Sequence, residues 1–215
     1  MKFDFSQFTF EKLAGRLTNV VLLGFFTLVL SLPLVTAGPA FTACHAAMKD
    51  VIVNDNDKPL RYYFERFKED FRLSALVFLC HIVFLAVLIW DLVYYRTGEG
   101  VLDILGQAAV FSLLCLLVFE MTMAHVVIAE RMESTLKGVF TKALDIAFSC
   151  IGQSLMILLL TAAAVIVTVV ILRPFLLVLP GLIVYLQWLI LPEMLRRYKF
   201  KKGNAVYQRE RRNEK

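Results

Sequence analysis

Long apolar stretches alternate with short charged ones along the whole chain. Five of the stretches approach the roughly 20 residues that a helix needs to cross about 30 Å of hydrocarbon. They lie at about 17–37, 73–90, 104–128, 151–172 and 174–192. The pattern predicts an all-α fold, a polytopic transmembrane helix bundle of about five spans that forms one membrane domain over residues 1–215. The last two stretches are divided only by Arg173-Pro174, and residues 150–192 are too long for one crossing, so we expect a tight hairpin there.

The first predicted span contains its own break. Residues 31–40 read Ser-Leu-Pro-Leu-Val-Thr-Ala-Gly-Pro-Ala, and each proline removes a backbone N–H that an unbroken helix would use. In hydrocarbon the freed carbonyls need other partners. We expect the break to run from Pro33 to Gly38-Pro39, with Pro39 as the first residue of a helix over 40–53. The first segment then either crosses the membrane or turns back as a re-entrant hairpin, which would leave four full spans.

Residues 61–72 alternate aromatic and charged side chains, with Phe64, Phe67 and Phe71 at positions i, i+3 and i+7. This spacing predicts an amphipathic helix on the inner membrane surface. Its rings would enter the acyl boundary, and its cations would meet anionic lipid head groups. Nucleic acid is the other partner that basic charge suggests, and the aromatic side chains beside a span argue against it. The N-terminal phenylalanines before residue 11 predict either an interfacial segment or a frayed terminus.

Composition and charge fix the class of protein and its orientation. Hydrophobic residues make up 59% of the chain and charged residues only 19%, against about 25% charged in soluble proteins. The lysines and arginines concentrate in 38–72, in 129–150 and in the tail 193–215. The positive-inside rule therefore predicts an outside N-terminus and an inside C-terminus. Signal-peptide cleavage near 35–37 is the alternative; acidic residues before the apolar run and a basic segment after it argue against that.

Three polar side chains within the predicted spans form the candidate site. Glu120 lies well inside the third span, where a carboxylate facing lipid costs roughly 2.5–3.5 kcal/mol on insertion scales. It should therefore face the bundle, and His81 in the second span can approach it from across the hairpin. His125 lies five residues after Glu120 and points to the side. The sequence leaves open a proton-binding or ligand-binding site and a purely structural hydrogen bond.

Patterns that would indicate catalysis or a cofactor do not occur. Cys44-His45 and Cys80-His81 are adjacent pairs, and neighbouring residues on a helix point about 100° apart, so neither pair supplies two metal ligands. The sequence has no P-loop, dinucleotide-binding turn or nucleophile elbow. We therefore expect no enzyme, no cofactor and no metal. The four cysteines lie in or beside predicted membrane segments, which does not indicate a disulfide framework.

The broken first span also carries a family resemblance. Ser31-Leu32-Pro33 with Thr36 and Gly38-Pro39-Ala40, followed by Phe-Glu-Arg-Phe-Lys-Glu-Asp-Phe at 64–71, resembles the YesL-like family of uncharacterised bacterial integral membrane proteins. The resemblance implies a multi-pass protein of a bacterial plasma membrane, often encoded near carbohydrate uptake and degradation functions. It implies structural roles for Pro33, Thr36, Gly38 and Pro39, and it transfers no catalytic or binding residue.

Two functional hypotheses follow. The first is an accessory or scaffold protein that assists a carbohydrate uptake system and contacts its transporter subunits. The second is a small secondary carrier or channel that uses Glu120 as its coupling residue. Because five spans make a thin bundle with few polar side chains, a carrier of this kind would need to form a homo-oligomer. In both cases the basic tail is expected to bind anionic lipid head groups.

Overall fold

The computed structural model describes residues 10–53, 59–96, 98, 100–170 and 178–213. Within this part of the chain every regular element is a helix, which confirms the all-α prediction. The nine helices are α1 (Phe10–Leu30), α2 (Leu34–Val53), α3 (Pro59–Glu69), α4 (Phe71–Arg96), α5 (Val101–Ala129), α6 (Leu136–Ser149), α7 (Ile151–Val170), α8 (Leu179–Trp188) and α9 (Leu191–Asn213).

Helices α4 and α5 form a long antiparallel hairpin that coincides with the second and third predicted spans. They contain 26 and 29 residues, or about 39 and 43 Å at 1.5 Å per residue. Both are long and apolar enough to cross a membrane. A capping contact starts α5, since the Asp103 carboxylate accepts a hydrogen bond from the Gly100 N–H at 3.0 Å.

The described residues hold two candidate membrane spans, or three if α6 and residues 151–167 of α7 count as one bent span. That pair is bent by 101°. The fifth predicted span is not one helix, because α8 has only 10 residues and a new helix begins at Leu191. The structure therefore supports a helical membrane bundle, and the five predicted spans are not confirmed. The proposed turn at Arg173-Pro174 lies outside the described residues.

The break in the first predicted span lies earlier and is shorter than the sequence suggested. Helix α1 ends at Leu30 and α2 begins at Leu34, so the break consists of residues 31–33. The prediction that Pro39 opens the second helix is wrong, because Pro39 lies inside α2. Thr36 supplies the polar partner that the break requires. Its hydroxyl lies 2.5 Å from the Leu30 carbonyl oxygen and 2.8 Å from that of Pro33.

Glycine 38 has a packing role inside α2. A Cβ atom built at this position would overlap the Ser74 carbonyl oxygen and come within 2.6 Å of the Phe78 Cβ. Only a residue without a side chain allows α2 to cross α4 this closely. A second close crossing joins α1 to α8, where a Cβ on Gly24 would lie 2.8 Å from the Val178 carbonyl oxygen. These crossings position α2 and α8 against the rest of the molecule.

Helix α2 packs across one end of the α4–α5 hairpin. We call this end the base, which comprises residues 71–81 of α4 and 119–129 of α5. The remainder of the hairpin, residues 82–96 and 101–118, is the arm. Most of the base is buried, and its residues join a core built from every helix of the described chain. In the arm, which the structure describes completely, Val110 is the one buried residue.

The amphipathic segment before the hairpin is a helix, with a different register from the predicted one. Helix α3 ends at Glu69, and Phe71 already belongs to α4. The buried face of α3 carries Pro59, Tyr63 and Arg66 instead of the phenylalanine stripe. Phe64 is 38% exposed. The Phe64 ring packs at the edge of this surface, 5.5 Å from the Phe26 ring of α1, while Arg66 lies inside.

The end of α5 is closed by a Schellman motif. The Arg131 N–H donates to the Ile128 carbonyl at 2.9 Å, and the Met132 N–H donates to the Val127 carbonyl at 3.0 Å. Arg131 has a φ of +52°, in the left-handed region that usually selects glycine. Its guanidinium pairs with Glu69, an interaction that a glycine at this position would lack.

Candidate functional site

The candidate site is a hydrogen-bonded pair in the base of the hairpin. His81 of α4 is fully buried and Glu120 of α5 is 4% exposed. His81 Nε2 is hydrogen-bonded to Glu120 Oε2, and His81 Nδ1 lies 2.7 Å from the Val77 carbonyl oxygen. The imidazole therefore bridges the two spans of the hairpin at a point about 15 Å along α4.

The hydrogen bonds restrict where protons reside on this pair. A carbonyl oxygen accepts only, so His81 Nδ1 must carry the hydrogen that it donates to Val77. One further proton then lies between His81 Nε2 and Glu120 Oε2, since two bare acceptors would repel each other. The two hydrogen bonds therefore fix the orientation of the imidazole between Val77 and Glu120.

The surroundings of the pair are apolar. The Phe140 ring of α6 stacks on the His81 imidazole, with 4.9 Å between centroids and 21° between planes. The second carboxylate oxygen, Glu120 Oε1, is buried and has no hydrogen-bond partner in the described structure. A buried carboxylate oxygen without a hydrogen bond lowers the stability of the folded state. Intramembrane groups of this kind are functional candidates for that reason.

The other two histidines lie in the same region. His125 Nδ1 is 2.9 Å from the Thr42 hydroxyl oxygen, and its ring lies 6.3 Å from the rings of Phe41 and Phe78. His45 is 3% exposed on α2, one turn after Thr42. His125 interacts electrostatically with both His45 and His81. All three histidines of the chain therefore converge where α2 crosses the base.

This histidine cluster leaves several polar atoms without partners. His45 Nδ1, His125 Nε2 and Ser74 Oγ are buried and make no hydrogen bond to described residues. Among those residues, no three His, Cys, Asp or Glu side chains lie close enough to hold a metal ion. Buried polar atoms normally bond to protein or to internal water. Among the described residues, the cluster therefore combines unsatisfied polar atoms with no metal-ligating set.

A charged layer covers the cluster at the end of the base. Arg66 of α3 is 2% exposed, and its Nη2 donates to the Ala129 carbonyl at 3.0 Å and lies 2.8 Å from an Asp70 oxygen. Lys49 pairs with Glu130 at 2.6 Å. Burial raises the pKa of the Asp70 carboxyl above its ordinary value. The positive charges of Arg66 and Arg131 lower this pKa and offset part of the rise. Cavities of about 310 and 560 Å³ open beside this layer.

The sequence predicted some of the residues of this site. It named Glu120, His81 and His125, and the structure brings the first two into contact and places His125 on a separate hydrogen bond to Thr42. It did not indicate His45 as a neighbour, nor the stacking of Phe140 or the burial of Arg66. No pattern along the chain identifies these residues, because each depends on how α2, α3 and α6 pack on the hairpin. The motif residue Pro33 lies in the break, and Thr36, Gly38 and Pro39 lie in α2.

Comparison with known proteins adds one match. A family model described as "Protein of unknown function, DUF624" matches residues 17–92. The matched stretch runs from α1 to near the end of α4 and includes His45 and His81, and it stops before Glu120. It also includes the residues that carry the resemblance to the YesL-like family. No curated protein and no solved structure matches the chain.

Proposed function

We propose that this chain is an integral protein of a bacterial plasma membrane that serves as an accessory or scaffold subunit of a carbohydrate uptake system. The observation that carries the proposal is the uncovered arm of the hairpin. In the apolar 18-residue stretch that could span a membrane, 28% of α4 and 6% of α5 is buried inside the protein. A surface of this size on a membrane protein contacts lipid or the transmembrane helices of a partner.

The arm has features that suit contact with another helix. Its exposed large side chains include Phe84 at 57%, Trp90 at 77% and Phe111 at 62%. Ala108 and Ala109 are also exposed, and small residues let transmembrane helices approach closely. The association of the proposed subunit with transporter subunits would use this surface, and homo-oligomer formation would use the same one. The link to carbohydrate uptake rests on the family resemblance.

The histidine cluster favours a structural role over a carrier. A coupling carboxylate must alternate between its own partner and a transported ion or substrate. Glu120 is instead bonded to His81, under the ring of Phe140. The carrier hypothesis keeps one supporting observation, the unpartnered Glu120 Oε1. It is therefore the second candidate function.

The proposed orientation has an outside N-terminus and an inside C-terminus. The Thr27 hydroxyl near the end of α1 lies 3.4 Å from the Tyr63 hydroxyl of α3, and α3 binds the last turn of α5 through Arg66. The end of α1 therefore lies near the base, which the positive-inside rule assigns to the cytoplasm. The apolar part of α1, Gly15–Leu30, is about 24 Å long, shorter than a full crossing, so the outside position of the N-terminus rests on the positive-inside rule.

Site-specific photo-crosslinking tests the accessory role. A benzophenone amino acid in place of Phe111 on the arm should capture membrane subunits of a carbohydrate transporter in native cells, identified by mass spectrometry. The matched control is the same substitution at Phe148 of α6, which is 64% exposed and lies outside the arm. Equal capture at both positions, or lipid adducts alone at residue 111, would count against the proposal.

A transport assay separates the two candidate functions. Purified protein in proteoliposomes should show no sugar or proton flux above that of empty vesicles. A flux that Glu120→Gln abolishes, while the matched variant Gln107→Glu on the arm retains it, would establish the carrier and overturn the accessory role.

A further inference from the structure

A basic cleft between α6 and α9 lies apart from the histidine cluster. Its volume is about 360 Å³. Three lysines, one tyrosine and two small or apolar residues line it: Lys142, Lys199, Lys202, Tyr198, Gly203 and Met132. The lining contains no acidic side chain. A cavity bordered by three ammonium groups is suited to an anion.

The lysines are held around one aromatic ring. Tyr198 lies between two of them, with Lys142 Nζ 6.0 Å and Lys202 Nζ 5.6 Å from the ring centroid. The Tyr198 hydroxyl donates to Asp145 Oδ2 at 2.5 Å, and Lys202 Nζ donates to the same oxygen at 3.1 Å. Hydrogen bonds to Tyr198 and Asp145 raise the pKa of Lys202. The cleft is thus built from positioned side chains.

The nearby carboxylates do not neutralise the cleft. Asp145 is shared between Tyr198 and Lys202, and Glu133 lies 3.8 Å from Lys142 Nζ. A fourth ammonium group, that of Lys201, donates to the Ser149 carbonyl at 2.5 Å. Two carboxylates therefore lie near the three lining lysines, and the local charge of the described residues stays positive.

Exposed aromatic rings lie on the two helices that form the cleft. Phe148 on α6 is 64% exposed and Phe200 on α9 is 70% exposed, and Met132 forms part of the lining. Exposed rings beside clustered lysines are typical of a surface that meets the headgroup layer of a membrane. A soluble anion would need the lysines and would gain nothing from the rings.

We propose that this cleft binds the phosphate group of an anionic phospholipid, with Lys142 and Lys199 as its direct contacts. Lysine ammonium groups act as point charges toward phosphate oxygens, and the rings of Phe148 and Phe200 lie against the acyl boundary. The site anchors the basic helix α9 to the lipid surface. It does not depend on the accessory function proposed above.

Native mass spectrometry of the full-length, delipidated protein tests the assignment. The protein is titrated with phosphatidylglycerol, with phosphatidylcholine and with inorganic phosphate. We expect retention of phosphatidylglycerol by the wild type and about 25-fold weaker retention by the double variant Lys142→Gln/Lys199→Gln, since each lysine near an anionic headgroup contributes a factor of roughly five. The matched control Arg96→Gln/Lys137→Gln removes two exposed cations outside the cleft and should retain the lipid within about twofold.

Three results would overturn the proposal. Equal loss in both double variants would show that lipid binding follows overall charge. Unchanged lipid retention in both double variants would show that the cleft does not bind the lipid. Competition by millimolar inorganic phosphate, without preference for phosphatidylglycerol over phosphatidylcholine, would identify a site for a soluble anion. If the double variant does not fold, the single variant Lys199→Gln, on the exposed surface of α9, should still weaken retention more than Lys137→Gln does.

Discussion

The base and the arm of the α4–α5 hairpin belong to the same two helices, yet their surroundings differ. The base holds His81, Glu120 and His125 inside a packed core, with fractional exposures of 4% or less. The arm carries exposed apolar side chains, and Val110 is its one buried residue. The difference follows from which helices pack on each part, since α2, α3 and α6 contact the base.

The comparison shows how a membrane protein accommodates polar groups. Lipid cannot satisfy a carboxylate or an imidazole, and in this hairpin the histidines and Glu120 lie in the base, where other helices provide partners. The arm carries mostly apolar side chains that lipid accepts, and its charged residues Asp91, Arg96 and Asp103 lie near its tip. A substitution in the base should therefore cost far more stability than a similar one in the arm.

The largest expected effect is at His81. His81→Ala removes the hydrogen-bond partner of a buried carboxyl and the stacking surface of Phe140, so we expect a loss of about 3–5 kcal/mol. Phe84→Ala in the arm removes a larger side chain that is 57% exposed, and should change stability by less than about 0.5 kcal/mol. Thermal unfolding in a mild detergent measures both.

A conservative change at the partner residue identifies what the pair requires. In Glu120→Gln the amide can donate to His81 Nε2, so stability should remain within about 1 kcal/mol of the wild type. A loss as large as that of His81→Ala would mean that the carboxyl itself is needed. Equal losses for His81→Ala and Phe84→Ala would remove the distinction between base and arm.

Arg66 should show the next largest effect. Its buried guanidinium donates to the Ala129 carbonyl and pairs with Asp70, a set of contacts that a single ammonium group cannot reproduce. We expect Arg66→Lys to lose about 2 kcal/mol. The same exchange at Arg96, exposed at the far end of α4, should be neutral within about 0.5 kcal/mol. A neutral Arg66→Lys would show that α3 does not need this anchor on α5.

Two glycines extend the comparison to backbone packing. In the base region, the added Cβ of Gly38→Ala meets the Ser74 carbonyl and the Phe78 Cβ, so we expect a loss of about 1–3 kcal/mol. In the arm, the added Cβ of Gly106→Ala meets only Tyr95 ring atoms, the nearest at 2.6 Å. That ring can turn aside, and alanine favours the helix by up to about 1 kcal/mol. The midpoint of thermal unfolding should fall for the first variant and stay level or rise for the second. A fall in both would show that the arm is as tightly packed as the base.

The smallest expected effect lies outside both parts, on α9. Hydrogen bonds from Arg196 and Arg197 lower the pKa of Glu193 to about 2, below the ordinary value of 4.5. A lowered pKa adds stability above the unfolded value and loses it as the pH falls from about 4.5 toward 2. Between pH 6 and 3, the wild-type midpoint should fall slightly more than that of Glu193→Gln. Because this group is exposed, parallel curves would show that solvent screens the interaction completely.

The sequence predicted the hairpin and its polar pair because both depend on local information. Apolar stretches of sufficient length define α4 and α5, and a carboxylate among them requires a partner. It misplaced the break at 31–33 because α2 continues through Pro39. The Thr36 hydroxyl instead bonds the Leu30 and Pro33 carbonyls at the break. It also missed His45, Arg66 and Phe140 as parts of the site. Their positions are set by the crossing of α2 over the base and by the packing of α3 and α6, which no spacing along the chain encodes.

Labelling by a photoreactive lipid tests the central claim most directly. The purified wild-type protein is reconstituted into vesicles that contain a diazirine-bearing phospholipid, illuminated, and mapped by peptide mass spectrometry. The account predicts strong labelling of residues 82–96 and 101–118 and little labelling of 74–81 and 119–129. Uniform labelling along both helices, or a protected arm beside a labelled base, would contradict it.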